Sequence, residues 1–165
     1  MGKGILALLE QGWERREIIF QDDSWRDSVP AKPGWYYIET DMLPEELRGV
    51  GSPKGVCHCS IPERVRDSFV LKEFQGCILP GRSPFYIVYF GEVVNLKARS
   101  REHVSGHAKT GCLAFAQYPA VRAYKWFFCF LVAPVNGDPR ACKLIRTFGE
   151  QSWRAKHGWP ILCRR

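Results

Sequence analysis

Acidic residues are scarce in the C-terminal part of this chain. Residues 97–165 carry thirteen Lys and Arg against three acids, Glu102, Asp138 and Glu150, a net +10, whereas residues 1–96 come to −3 and the whole chain to +7. The shortage argues against a two-metal centre, which needs several carboxylates, and it gives this part the field that a polyanion feels. Charge by itself leaves open a mildly basic protein with no nucleic-acid partner. A disulfide framework is also missing: the seven cysteines, at 57, 59, 77, 112, 129, 142 and 163, are scattered and odd in number, and they read as reduced thiols of a cytoplasmic protein. No apolar run suits a membrane span or a signal peptide, since the first segment is interrupted at Glu10. Leu6 stands where a myristoylation signal needs Ser or Thr. No internal repeat or low-complexity tract occurs.

What is present is core material. Hydrophobic residues make up 45% of the 165 positions and aromatics 13%, enough to offset the chain entropy of folding in a single domain over 1–165. Residues 4–19 are expected to form an N-terminal helix within an extension over 1–30. "GWYYIET" reads as a first strand, "PFYIVYFG" as a second and "AYKWFFCFLVA" as a third, the last stopping at Pro134. Trp126, Phe127, Phe128 and Phe130 then belong to the core, because little that is polar is interleaved with them. Residues 41–83 form an insertion carrying one helix, with Ser60 and Glu63 spaced as a capping box. Asn95 caps a helix from Leu96 to about His103. Asp138 and Pro139 open a last helix to about Lys156, ended by Gly158. The expected fold is α+β: a three-stranded antiparallel sheet flanked by helices.

The chemistry concentrates in "YFGEVVNLKARSREH". Arg99 and His103 lie four residues apart on one helix face, just beyond Tyr89 and Gly91 at a strand end. A guanidinium holds phosphate oxygens by paired hydrogen bonds, and an imidazole exchanges protons near neutral pH. On the last helix Leu144, Ile145 and Phe148 mark one side, while Arg146, Glu150 and Arg154 repeat every four residues on another. That repeat is either an exposed ladder worth a few tenths of a kcal/mol per pair or, in so basic a half, a carboxylate for one hard divalent cation. "CHC" at Cys57, His58 and Cys59, with Cys77, has zinc-ligating types without a knuckle spacing.

"GWY" at Gly34–Tyr36, "YFG" at Tyr89–Gly91 and the trailing "NLKARSREH" together resemble the GIY-YIG nucleases, with Glu150 similar in placement to that family's metal-binding glutamate. The resemblance covers residues 34–36 and 86–163, and the 41–83 insertion stands where the family has a short hairpin. It implies catalytic roles for five residues. Tyr36 would orient or deprotonate the attacking water, Tyr89 would position it, and Arg99 would neutralise transition-state charge. His103 would assist proton transfer or hold the phosphate, and Glu150 would hold one Mg²⁺ or Mn²⁺. Tyr36 and His103 both stay open as the general base. Many members carry an asparagine after the last helix; here "GWPILCRR" has Cys163 near that place.

The implied activity is divalent-metal-dependent hydrolysis of phosphodiesters in double-stranded DNA, of a restriction-like kind, by a chain with no membrane partner. The insertion and the N-terminal helix would recognise the target, and cutting two strands would favour a homodimer. Two rivals remain: a non-cutting nucleic-acid-binding or accessory protein on the same fold, and a zinc-dependent regulator built on Cys57, Cys59 and Cys77.

Overall fold

Hydrophobic side chains on alternate positions of the apolar runs need cover on both faces, and the chain supplies it with helices. The computed structural model describes residues 4–55, 59–74, 76–81, 83–134 and 137–163. In chain order the elements are α1 (Ile5–Leu9), β1 (Glu14–Glu17), β2 (Gly34–Thr40), α2 (Pro44–Arg48), α3 (Ile61–Leu71), β3 (Tyr86–Val93), α4 (Leu96–Ser105), β4 (Trp126–Val132) and α5 (Pro139–His157), with short 3-10 turns between some of them. The strands form one antiparallel sheet in the order β1-β4-β2-β3. It is thus an α+β fold with four strands, one more than expected.

The extra strand corrects the N-terminal expectation. The helix stops at Leu9, Gly12 turns the chain at φ +81°, and Glu14–Glu17 pairs with β4, Glu14 opposite Phe130 and Glu17 opposite Phe127. Four consecutive charged residues conceal a strand because an edge strand needs only its backbone for pairing and keeps its side chains in water. Arg15 shows how: its guanidinium lies 3.4 Å above the Phe127 ring and pairs with Glu39 at 2.6 Å.

Successive residues of β2 point to opposite faces, and that alternation divides the molecule. The Trp35 indole faces α5, donating to the Arg146 carbonyl at 2.9 Å. Tyr36 faces α4. α5 crosses β2 and β3 with α1 beside it, while α2 packs on α3 within the inserted segment.

The orientation of α5 also differs from the expected one. Cys142, Arg146, Gly149 and Trp153 turn inward, and Leu144 and Phe148 are 62% and 61% exposed. Aromatic fit overrides the aliphatic pattern: Trp153 stacks on Phe90 with centroids 4.1 Å apart, and Gly149 leaves the groove that the buried Trp35 ring fills. Among the described residues no helix is long and apolar enough to cross a membrane.

The same contact predicts the outcome of a substitution. Alanine for glycine inside a helix normally gains about 1 kcal/mol, but a Cβ on Gly149 would meet Trp35 Nε1 at 2.7 Å and two ring carbons at 2.9 Å. Gly149→Ala is expected to destabilise the fold by about 1–3 kcal/mol, read as a lower denaturation midpoint in urea. An unchanged or raised midpoint would show that the indole has room to shift.

Candidate active site

The strand pairing sets Tyr36 opposite Gly91 and Ile38 opposite Tyr89, so the two tyrosines share the face that α4 covers. Their rings lie nearly parallel, 15° apart in plane and 5.8 Å between centroids. Gly91 is where a side chain is not tolerated: a Cβ there would fall 2.9 Å from the Tyr36 hydroxyl. α4 begins as its sequence predicts, with the Asn95 side chain accepting from the Ala98 amide at 2.9 Å, and Leu96 is fully buried beneath it. This start aims Arg99 and His103, one turn apart, at Tyr36.

The phenol oxygen of Tyr36 is the hub. Arg99 Nε donates to it at 3.0 Å, and His103 Nε2 lies 2.9 Å away. His103 Nδ1 accepts the Leu113 amide at 3.3 Å, so in the neutral ring the proton sits on Nε2 and that atom donates to Tyr36. The Arg99 and His103 bonds are both ones that the phenol oxygen accepts. The Tyr89 ring stacks beside that of Tyr36 and packs edge-on against His103 at 4.7 Å between centroids.

Burial sets the protonation states. It holds the Tyr36 proton well above the usual phenol range, reinforced by Tyr89 and opposed by Arg99. Tyr89 is also raised, by burial and then by Cys163, with Arg99 opposing. His103, fully buried, is pushed well below the usual imidazole range by burial, with Arg99 and Arg64 adding to it. Burial works against the Arg99 charge too, but the hydrogen bond to Tyr36 and the Glu102 carboxylate, paired at 2.7 Å, offset this and keep it a cation.

Glu150 lies apart from this network. It sits beside β3, where it pairs with Arg154. Burial raises its carboxyl, Arg154 opposes, and the Glu92 carboxylate raises it further. The predicted Arg146-Glu150-Arg154 repeat is therefore not an exposed ladder: Arg146 is buried and binds Glu92 at 2.8 Å. Arg154 donates to the Phe90 carbonyl at 2.6 Å and lies over the Trp159 ring. Glu150, Arg154, Thr147, Gln151 and Trp159 line an open cavity of about 430 Å³. A hard divalent cation that keeps most of its waters would have to take the Glu150 carboxylate in place of Arg154. Among the described residues no three His, Cys, Asp or Glu side chains gather into a metal cage.

Cys163 bridges the two parts. Its sulfur accepts the Phe90 amide at 3.2 Å and donates to the Phe90 carbonyl at 3.3 Å, while Leu162 donates to the Val88 carbonyl at 2.8 Å. The C-terminal segment so closes the β3 edge beside Tyr89. Burial pushes the Cys163 thiol up to about 11, with Arg154 opposing and Glu150 adding. Glu92 and Arg64 were not singled out from the sequence, and Arg154 only as a member of the repeat on the last helix. Glu92 had the clearest signal, a carboxylate directly after Gly91 in the quoted motif. Of the zinc candidates, Cys57 and His58 lie outside the described residues; Cys59 is buried and Cys77 exposed.

Comparison of the chain with protein-family models, with curated proteins and with solved structures finds no match.

The neutral, buried His103 has a consequence for stability. Below about pH 6.5 the unfolded chain protonates this ring and the folded chain refuses the proton. Stability therefore holds above that pH and falls by about 1.4 kcal/mol per unit as the pH drops through the next units. His103→Gln is expected to remove that increment from the slope of unfolding free energy against pH between 6.5 and 5. An identical slope in wild type and variant would mean that His103 is protonated in the folded state.

Proposed function

We propose that the protein is a divalent-metal-dependent endonuclease that hydrolyses phosphodiester bonds in double-stranded DNA. The observation that carries the reading is the Tyr36 oxygen, on which residues 63 and 67 positions away in sequence converge at hydrogen-bond distance. These are the tyrosine, arginine and histidine on which the resemblance to GIY-YIG nucleases rests.

In this reading each group has a role that its environment suits. Arg99 is a permanent cation beside two phenols, placed to neutralise charge that grows on a phosphate during attack. Tyr36 holds its proton at rest, so it serves to orient the attacking water or to relay a proton rather than as a standing phenolate. His103 fixes Tyr36 by donating from Nε2. Tyr89, whose proton burial holds above the usual phenol range, positions the water or a phosphate oxygen. Glu150 would hold one Mg²⁺ or Mn²⁺, which supplies Lewis-acid stabilisation of phosphate charge. Cutting both strands of a duplex, as a restriction-like enzyme does, calls for two copies of the chain.

One observation favours a second reading, a DNA-binding protein on the same fold that does not cut. Tyr36 and His103 are 1% and 0% exposed, and Arg154 occupies the Glu150 carboxylate. Wild type, Arg99→Ala and Glu150→Ala incubated with mixed-sequence duplex DNA and Mg²⁺, Mn²⁺ or EDTA separate the two on a gel. The nuclease gives discrete fragments with wild type and metal only, and each variant loses about 10²–10³-fold in rate. Undiminished cutting by Glu150→Ala would remove the metal assignment. Intact DNA shifted by all three proteins would favour the binder.

A further inference from the structure

Three of the four arginines around the site are neutralised by a carboxylate: Arg99 by Glu102, Arg146 by Glu92 and Arg154 by Glu150. The fourth, Arg64 on α3, pairs with no carboxylate among the described residues. Its Nη1 donates to the Leu162 carbonyl at 2.7 Å, and its Nε and Nη2 have no hydrogen-bond partner among them. We propose that Arg64 is a further phosphate-binding residue of this site, holding a backbone phosphate of the bound polynucleotide beside the one that Arg99 serves. The proposal rests on the reading of the site as one for a nucleic acid.

Position supports it. Leu162 precedes Cys163, whose sulfur binds both backbone groups of Phe90 next to Tyr89. On its other side Nη2 lies 3.7 Å from where a Cβ on Gly111 would be, two residues before the Leu113 amide that fixes His103. Arg64 is thus wedged between the two segments that wall the tyrosine–histidine cluster, near enough for its charge to weigh on both His103 and Cys163. α3 cannot swing away freely, because Ser68 bonds to the Ile161 carbonyl at 2.6 Å and the Ile61 amide to the Tyr118 hydroxyl at 3.3 Å.

A purely structural role leaves the charge unexplained. Clamping one neutral carbonyl needs one neutral donor, and keeping a permanent cation half-buried with no counter-charge among the described residues is costly. A guanidinium with free N–H groups in a fixed fork is the usual way to hold a phosphate. The inserted segment would then contribute directly to binding at the catalytic centre, in addition to any reading of the target.

The test compares wild type, Arg64→Gln, Arg64→Lys and Arg99→Gln binding to a fluorescent mixed-sequence DNA duplex in EDTA from 50 to 200 mM salt, with melting temperatures measured alongside. Gln keeps an amide for the Leu162 carbonyl and loses the charge; Lys keeps the charge. The expected result is that Arg64→Gln binds about tenfold more weakly at the lowest salt and that its slope of log affinity against log salt is shallower by about 0.9, while Arg64→Lys retains the slope. A clamp alone gives the opposite order, with Gln like wild type and the slope unchanged in every Arg64 variant, and overturns the proposal. If wild type and Arg99→Gln bind alike while Arg64→Gln is weaker, the nucleic-acid contact stays but its placement beside Arg99 fails. No salt-dependent binding by wild type would remove the nucleic-acid reading of the site together with this one.

Discussion

The Tyr36 oxygen lies where β2, β3 and α4 meet, and its burial makes each of its hydrogen bonds obligatory. A buried phenol left without partners would cost on the order of 1–3 kcal/mol per unmet group, so the elements that carry the partners are held to position. Gly91 must stay bare for the hydroxyl to fit against β3. Gly34 must stay bare for another reason: a Cβ there would fall 2.3 Å from the Leu131 carbonyl and 2.8 Å from Leu96, the first residue of α4. The loop after α4 must return to hand the Leu113 amide to His103; it leaves the helix through Gly106 at φ +91° and turns away again at Ala114, φ +51°. An alanine in the left-handed region is uncommon, and it stands directly after the residue that sets the histidine tautomer.

Scarcity of acid shapes the charge arrangement around that hub. The three site carboxylates, Glu92, Glu102 and Glu150, each hold an arginine, Arg146, Arg99 and Arg154 in turn. Half-buried ion pairs of this kind add little net stability, since the loss of hydration nearly cancels the attraction. Their effect is on geometry: each arginine is fixed in direction while its charge is balanced at rest. A polyanion arriving at such a site competes with the carboxylates for guanidinium groups already in place, a form of preorganisation in which little is reorganised during reaction.

Much of this was readable before any coordinates. Asn95, Asp138 and Ser60 cap the helices they were expected to cap, because capping depends on local spacing alone. The three apolar runs are strands, and Tyr36, Arg99 and His103 converge because strand and helix periodicities fix which residues share a face. What could not be read depends on tertiary fit. β1 is four charged residues whose strand character comes from β4 beside it. The inward face of α5 follows from one indole and one glycine, against a helical pattern that pointed Leu144 and Phe148 inward. Arg64 belongs to the site only because residues 160–163 fold back along β3, and no spacing in the sequence encodes that return.

That return also decides how the two parts of the site relate. Tyr36, Tyr89, Arg99 and His103 lie on the α4 face of the sheet, while Trp35, Glu92 and the α5 residues that meet them lie on the other. Glu150 reaches the first group only around the β3 edge, which among the described residues is closed by the Cys163 thiol, the Arg154 guanidinium and a backbone bond from Leu162. A side-chain closure leaves fewer backbone bonds to break than a ladder does. On the reading proposed for the site, a ligand that touched both Arg99 and Glu150 would have to lie across that edge. A chain of phosphates is long enough to do so, whereas a single compact anion would engage one side and leave the other to its arginine.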